Sequence, residues 1–397
     1  MRTVVRWVVT VVVVLHGLIH LLGAAKGLGW ADVTQLKEPI SAAMGVAWLA
    51  AAVLVVLAGV LFIVRARWWW VVGAVAVVAS QTVIFTLWSD AKAGTVANFI
   101  LLAAVVYGYA AQGPPSYRAQ YCHLVDAALA EPLKVGVVTE ADLGDLPEPV
   151  ARYVRRSGAV GKPRVTNFQA RIHGRIRAGT TTAWMSFIGE QVNTYGPEPS
   201  RLFFMDATMF GLPVDILHTY VGPSATMRVK ACSLVPMVNA AGPDMDQAET
   251  VTLFNDLCIL APAAIIDAPI TWASLDEHHV CGTFSNGAHT VAAELVFNDD
   301  HDLIDFISDD RTRSSRDGKS FTPQRWSTPV REYRTVGSRR VGTQGEGRWH
   351  APKPEGEFAY LEFNLDQISY NTGNPPAPST PRDPGVSASP RQDAWSP

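Results

Sequence analysis

The chain has 397 residues, 48% of them hydrophobic, a formal net charge of −3 and four cysteines, a length that exceeds one comfortable domain. Up to residue 111 there are seven Lys or Arg against three acids, a net of +4, so the remainder carries −7. An acidic remainder has no electrostatic route to phosphate backbones, which excludes a nucleic-acid partner, and Cys122, Cys232, Cys258 and Cys281 form no C-x-x-C pair, which leaves no zinc or redox motif and suits a reducing compartment.

Four apolar runs fill the front of the chain: Val4 to Ala25, Ile40 to Val64, Trp68 to Trp88 and Thr95 to Ala111. About 20 residues at a rise of 1.5 Å cross the hydrocarbon core, so these runs predict transmembrane helices. Their Val-rich composition would read as strand in water, but unpaired backbone groups are not tolerated in lipid. Three further spans after the first argue against a cleaved signal peptide. Arg2, Arg6, Arg65, Arg67 and Arg118 fall on one side with no acid in those short flanks, whereas Lys26, Lys37 and Lys92 fall on the other beside Asp32, Glu38 and Asp90. The Lys and Arg bias therefore places both ends, and the rest of the chain, in the cytoplasm. Trp7 and Trp68 to Trp70 then lie at the inner interface, and Trp30 and Trp88 at the outer one. Small residues four apart, Ala47 with Ala51 and Ala76 with Ser80, allow close helix packing.

His16 and His20 share one helix face inside the first run. Ionisable groups at membrane depth are functional candidates, here for a haem, metal, quinone or proton site. The alternative is that His16 bonds a neighbouring helix and His20 sits at the outer interface. Asp90 and Lys92 read as a solvated loop pair.

Gly113-Pro114-Pro115 ends the fourth run. Tyr117 to Ala130 has a helical apolar period and predicts an amphipathic helix, lying along the interface or packing on the following domain. A second short helix is signalled over residues 146–158, with Pro147 or Pro149 in its first turn, Leu146, Val150, Tyr153 and Val154 as its stripe and Gly158 as its stop. The period then becomes two. Phe168 to Ile176 alternates apolar and polar residues, and further strands are expected at 181–192, 201–209, 216–221 and 226–231. One helix, from about Asp244 to Cys258, interrupts them, with Asp244 as its cap and Asp246 and Glu249 near the positive end of its dipole. Strands resume at 279–285 and 289–297, joined by an Asn286-Gly287 turn, and continue at 303–309, 324–336, 341–350 and 358–370.

The resulting expectation is an α+β chain. A four-helix transmembrane bundle occupies 1–111 and an amphipathic linker 112–145. A curved antiparallel β-sheet of about ten strands, a half barrel with a few covering helices, follows at 146–370. Residues 371–397, rich in Pro, Ser and Asp, form a disordered tail.

The segments LPEPVARYVRRSGAVGKPRV, GPDMDQAE, ITWASLDEHHVCGTFSNG, LVFNDDHDLI and REYRTV together resemble an uncharacterised bacterial family, a domain of unknown function, over about residues 146–370. The resemblance implies no activity and no catalytic residue, and it makes the membrane block an attachment in front of the family domain. Gly342 stands where it implies a proline. At the level of fold, the hairpins and single mid-chain helix are similar to lipoprotein carriers of the LolA and LppX kind, whose curved sheets enclose an acyl chain; fold analogy alone does not establish function.

Candidate sites are few. Asp244, Asp246 and Glu249 are the acids from which acid/base catalysis or metal binding could be built, although acids at a helix start also serve its dipole. Asn298 to Asp302 lacks the glycine and closing glutamate of a calcium loop. Asp309, Asp310 and Arg311 read as a strand-end ion pair, and His278 and His279 point to opposite faces of a strand. No nucleophile elbow, phosphate loop or dinucleotide fingerprint is present, and neither a metal nor a cofactor is expected. The leading reading is a membrane protein whose soluble domain binds a lipid or other apolar ligand beside the bilayer. The alternatives are a membrane-anchored hydrolase using the acids at 244–249, and a redox, quinone or proton site at His16 and His20.

Overall fold

The computed structural model describes residues 2–130 and 135–373. The predicted tail lies outside them apart from Asn371 to Gly373. Asn371 is tied down: its Oδ1 accepts from the Thr166 backbone at 2.9 Å and its Nδ2 donates to the Arg164 carbonyl.

Helices α1 (Arg2–Gly27), α2 (Ala42–Ile63) and α3 (Trp69–Thr86) are followed by the one-turn α4 (Trp88–Ala91) and by α5 (Gly94–Gln112). The first three, and a fourth segment within Gly94–Ala128, are long and apolar enough to cross a membrane. Helix α1 packs on α2 and α5, and α3 on α2 and α5, closing a four-helix ring. Small residues permit the approach: a Cβ on Gly27 would come within 2.5 Å of the Gly45 Cα, and Ala51, Ala76 and Ser80 are fully buried. The outward faces are hydrocarbon, as Val78 (68% exposed) and Phe99 (69%) illustrate. Asp90 does not pair with Lys92. It accepts from the backbone N–H groups of Lys37 and Glu38, pinning the α1–α2 loop to α4.

Helix α6 (Tyr117–Ala128) begins four residues after α5 and is capped by Ser116, whose Oγ accepts from the Ala119 N–H. Helix α7 (Glu148–Arg156) carries Pro149 in its first turn and stops at Gly158, where φ is 75°. The strands are β1 (Asn167–Ile176), β2 (Met185–Thr194), β3 (Ser200–Met209), β4 (Leu212–Val221), β5 (Ser224–Ala231) and β6 (Val235–Ala241); then, after α8 (Pro243–Leu260), β7 (Ile270–Ser274), β8 (His279–Asn286), β9 (His289–Phe297) and β10 (Leu303–Ser308). The last are β11 (Thr312–Ser314), β12 (Phe321–Pro323), β13 (Trp326–Ser327), β14 (Val330–Val336), β15 (Arg339–His350) and β16 (Glu357–Tyr370). All but β11 and β12, which pair with each other, join one fourteen-stranded antiparallel half barrel in the order β6-β5-β4-β3-β2-β1-β16-β15-β13-β10-β9-β8-β7, with β14 on β15.

More strands form than the alternation predicts. Strand β6 holds Pro236 and an exposed edge, and β7 is five residues long, so neither displays a buried alternating face. The stretch 324–336 divides into β13 and β14. Gly342 lies inside β15, opposite Tyr333, and a Cβ there would meet the Val330 side chain at 2.1 Å, so this position is fitted to valine packing.

The two faces of the sheet receive different helices. On the convex side, Tyr117, Tyr121, Val125 and Leu129 of α6 and its C-terminal flank bury Val192, Leu202, Phe204 and Leu217. The amphipathic segment thus packs on the domain, and Arg118 reinforces it with a 2.8 Å ion pair to Glu190. On the concave side α8 lies in the trough, with every residue from Ala248 to Leu260 buried. It touches β5 and β6 on one flank and β8, β9 and β10 on the other. Phe254 stacks on Phe284 at 5.3 Å and meets Phe306 edge-on at 5.2 Å, a large apolar burial with about 1 kcal/mol of added ring-pair energy.

Candidate functional site

The three acids of the α8 start diverge. Asp244 is exposed and does not cap the helix, whose N-cap is Gly242 at φ 105°. Pro243 draws the helix start forward by one residue, which removes Asp244 from the capping position. Asp246 is spent on the sheet, accepting from the Ala225 N–H at 2.6 Å. Glu249 is buried a full turn deeper.

Glu249 belongs to a charged cluster between α8 and the β2–β4 flank. Arg201 Nε donates to Asp256 at 2.6 Å and Arg201 Nη1 to Glu249 at 3.1 Å. Gln191 Nε2 also reaches Asp256, at 2.6 Å. The spacing is a product of secondary structure: residues 249 and 256 are seven apart on one helix face, while 191 and 201 point inward from paired strands. His218 Nδ1 stands 3.7 Å from Glu249 and Arg311 Nη2 3.8 Å from it. Burial would raise the Glu249 carboxyl, but the Arg201 charge, backed by His218 and Arg311, holds it well below the usual carboxylate range. Burial lowers and the two carboxylates raise the Arg201 guanidinium, with a net rise. An acid held ionised beside two guanidiniums is a poor proton donor, and Glu249 is enclosed, so this cluster seats a helix and offers no acid/base pair to a substrate.

Arg311 is not paired with its chain neighbours. It donates to the Ala248 carbonyl at 2.7 Å and to Thr252, and its guanidinium lies over Trp326 at 4.6 Å. Asp309 instead faces Arg325, and Asp310 accepts from the Ala292 N–H. A polar bridge closes the trough beyond: Asn286 donates to Tyr220 Oη at 2.8 Å, which is 2.7 Å from Thr250 Oγ1.

In the helical bundle His16 and His20 are both buried. His20 Nδ1 donates to the His16 carbonyl at 2.9 Å, and its Nε2 lies 2.9 Å from Ser80 Oγ. His16 Nε2 lies 3.0 Å from Asn98 Oδ1, and Asn98 Nδ2 donates to Gln81, which donates to Thr95. No Asp, Glu, Lys or Arg occurs in α2, α3 or α5, so no carboxylate faces the pair. The chain of bonds ties α1 to α3 and α5.

One constellation escapes sequence reading. Ser327 Oγ lies 2.9 Å from His350 Nε2, and His350 Nδ1 lies 3.5 Å from Glu357, the polarity of a nucleophile, base and orienting acid. Ser327 is only 2% exposed and both its neighbouring strands consume its backbone in the ladder, so no oxyanion position opens beside it. A groove of ≈ 570 Å³ runs past Glu148, Arg152, Asp276, His278 and His301. There His278 turns to Asp299 and His279 to Asp276. Among the described residues no group of three or more His, Cys, Asp or Glu is placed to hold a metal ion.

No curated protein matches the chain. Among solved structures, a DUF1329 family protein from Desulfovibrio piger is similar with 12% identity and a TM-score of 0.34, over 60% of this chain and 95% of that one. An outer membrane lipoprotein-sorting protein domain from Vibrio parahaemolyticus is similar with 10% identity and a TM-score of 0.30, over 52% and 86%. A LolA superfamily protein from Nitrosomonas europaea is similar with 10% identity and a TM-score of 0.26, over 59% and 94%. Residues 136–363, which run from ahead of α7 into β16, match a family of unknown function, and the chain belongs to that family, DUF6544.

Proposed function

We propose that the chain is a multi-pass protein of the inner or plasma membrane, with its sheet domain on the cytoplasmic side. We further propose that this domain accepts the apolar part of a membrane lipid in the trough that α8 closes. The observation that carries the reading is how α8 is seated. Its β8–β10 flank is aromatic, whereas its β2–β4 flank rests on the Arg201, Glu249 and Asp256 cluster. Buried ion pairs contribute little net stability compared with hydrocarbon but fix one geometry, which suits a contact that is made and released as a unit. Release of α8 would uncover a lining that includes Phe187, Phe203, Phe284 and Phe306, matched to an acyl chain.

The orientation is supported by the arginine bias of the flanks at Arg2, Arg6, Arg65, Arg67 and Arg118. Protease added to intact cells should spare everything beyond residue 116; digestion of that part would reverse the topology. For the ligand, a phospholipid bearing a photoreactive acyl chain is incorporated into membranes holding the full chain, and cross-linked peptides are mapped. Adducts on α8 and on the inward residues of β2 and β3 are expected. Adducts confined to α1, α2, α3 and α5 would overturn the lipid reading.

A further inference from the structure

We infer that the end of the sheet bearing Phe210 and Leu234 is a membrane-docking surface that rests in the interfacial layer of the same bilayer the helices cross. The inference builds on the multi-pass reading above. The strand register gathers this end: Ser186 faces Thr208, Thr208 faces Pro213, Val214 faces Ala231 and Ala231 faces Val235. The β1–β2, β3–β4 and β5–β6 connections therefore share one end. There Phe210 is 77% exposed, Leu212 51%, Leu234 46%, and Val235 and Met237 55% each. Phe210 also sits at φ 51°, a left-handed turn conformation that glycine or asparagine adopts more readily. Neither packing within the domain nor turn geometry accounts for a phenylalanine at that position.

The path of the chain says what covers this surface. The Tyr117 ring, the first residue of α6, lies 4.3 Å from Lys230 Nζ, one residue short of the same end of β5. Only four residues separate Tyr117 from Gln112, the last residue of α5, so Tyr117, which touches that corner of the sheet, lies within about 18 Å of the helix terminus. Arg67, in the loop between α2 and α3, is within electrostatic reach of Cys122 on α6. In the β1–β2 connection Trp184 lies between the guanidiniums of Arg175 and Arg177, at 4.5 and 4.4 Å, a pairing suited to the headgroup layer. Acids on the adjoining strands stand opposite these basic groups, Asp215 across from Lys230 and Glu362 paired with Arg175, so attachment is by apolar insertion and not by net charge.

Cys232, in the β5–β6 turn, supplies a reporter on this surface, and Cys258 is fully buried and unreactive. The full chain carrying Cys122→Ser and Cys281→Ser is labelled at Cys232 with an environment-sensitive fluorophore and placed in phosphatidylcholine nanodiscs. We expect blue-shifted emission, quenched roughly two-fold by lipids spin-labelled near the headgroup and unchanged in about 0.5 M salt. Adding Phe210→Asp, Leu234→Asp and Met237→Asp should restore water-like emission while circular dichroism stays unchanged. Water-like emission without lipid quenching in the parent protein would overturn the inference, as would quenching abolished by salt. Quenching at Cys232 in the absence of lipid adducts on α8 upholds the docking surface and removes only the trough reading; the converse removes only the docking surface.

Discussion

Arg201 on β3 and Asp256 on α8 meet at 2.6 Å with both side chains 8% exposed, and their contact decides how α8 can lie in the trough. Replacing Arg201 with alanine leaves two buried carboxylates without their main partner. Unfolding of the sheet domain in the full-length protein should show a loss of about 3–5 kcal/mol, and the variant should fold no better at neutral pH than at pH 5. A change under 1 kcal/mol would mean that α8 is held by its aromatic flank alone.

Glu249 gives the pH dependence of the same contact. Its carboxyl is held below its ordinary 4.5 in the fold, so its stabilisation is present in full above about pH 4.5 and is lost as the pH falls toward the folded value. Glu249→Gln should flatten the acid limb of the stability profile below pH 4.5, whereas Asp244→Asn, at an exposed position, should leave it as it is.

Asp305 runs the other way. Burial raises it to about 6 from 3.8, against the backbone N–H groups of Phe306 and Thr328. A carboxyl raised in the fold binds its proton more tightly there than in the unfolded chain, so stability falls as pH climbs from about 4 to 6. Asp305→Asn should therefore stabilise the domain at pH 7, on the order of 2 kcal/mol, and have little effect at pH 4. Chemical denaturation at the two pH values checks the sign.

Ser80 holds the polar network of the bundle together. Ser80→Ala removes the partner of His20 Nε2 and one bond to Asn98, and should lower the thermal stability of the detergent-solubilised helices by about 1–2 kcal/mol. Because both nitrogens of His20 are engaged within the protein, the purified chain should show no haem absorption and no stoichiometric metal. A Soret band lost in His20→Ala would establish a cofactor site in the bundle.

The seam between β1 and β16 tolerates no side chain at Gly174, where a Cβ would lie 1.9 Å from the Glu362 carbonyl. Gly174→Ala should destabilise the domain by about 3 kcal/mol or more, measured by thermal unfolding. Ser327, enclosed beside His350, should not react with a fluorophosphonate probe; labelling would revive a hydrolytic reading.

The helices and the sheet type were legible because their apolar periods are long. The runs that became α1, α2, α3 and α5, and the alternation of Phe168 to Ile176, each state a period over many residues. The ends of α8 and the strands β6 and β7 were not legible, since Gly242 and Pro243 decide the cap and edge strands lack a buried face to alternate. The acids at 244, 246 and 249 are close in sequence yet reach solvent, a strand backbone and a guanidinium respectively. Arg201, Gln191 and Arg311, which complete the Glu249 environment, come from three distant segments, and no local pattern announces them.

The pairing of Phe168 with Tyr370 joins strands about two hundred residues apart, at the middle of the sheet and not at its rim. During synthesis the membrane helices and β1 to β6 leave the ribosome long before β16 exists. Until the final strand emerges, β1 presents an open edge and the aromatic interior has no second wall. A nascent chain truncated ahead of residue 357 should therefore be held by chaperones or proteases at the membrane surface, and the last fourteen-residue strand acts as the closing stitch of the whole domain.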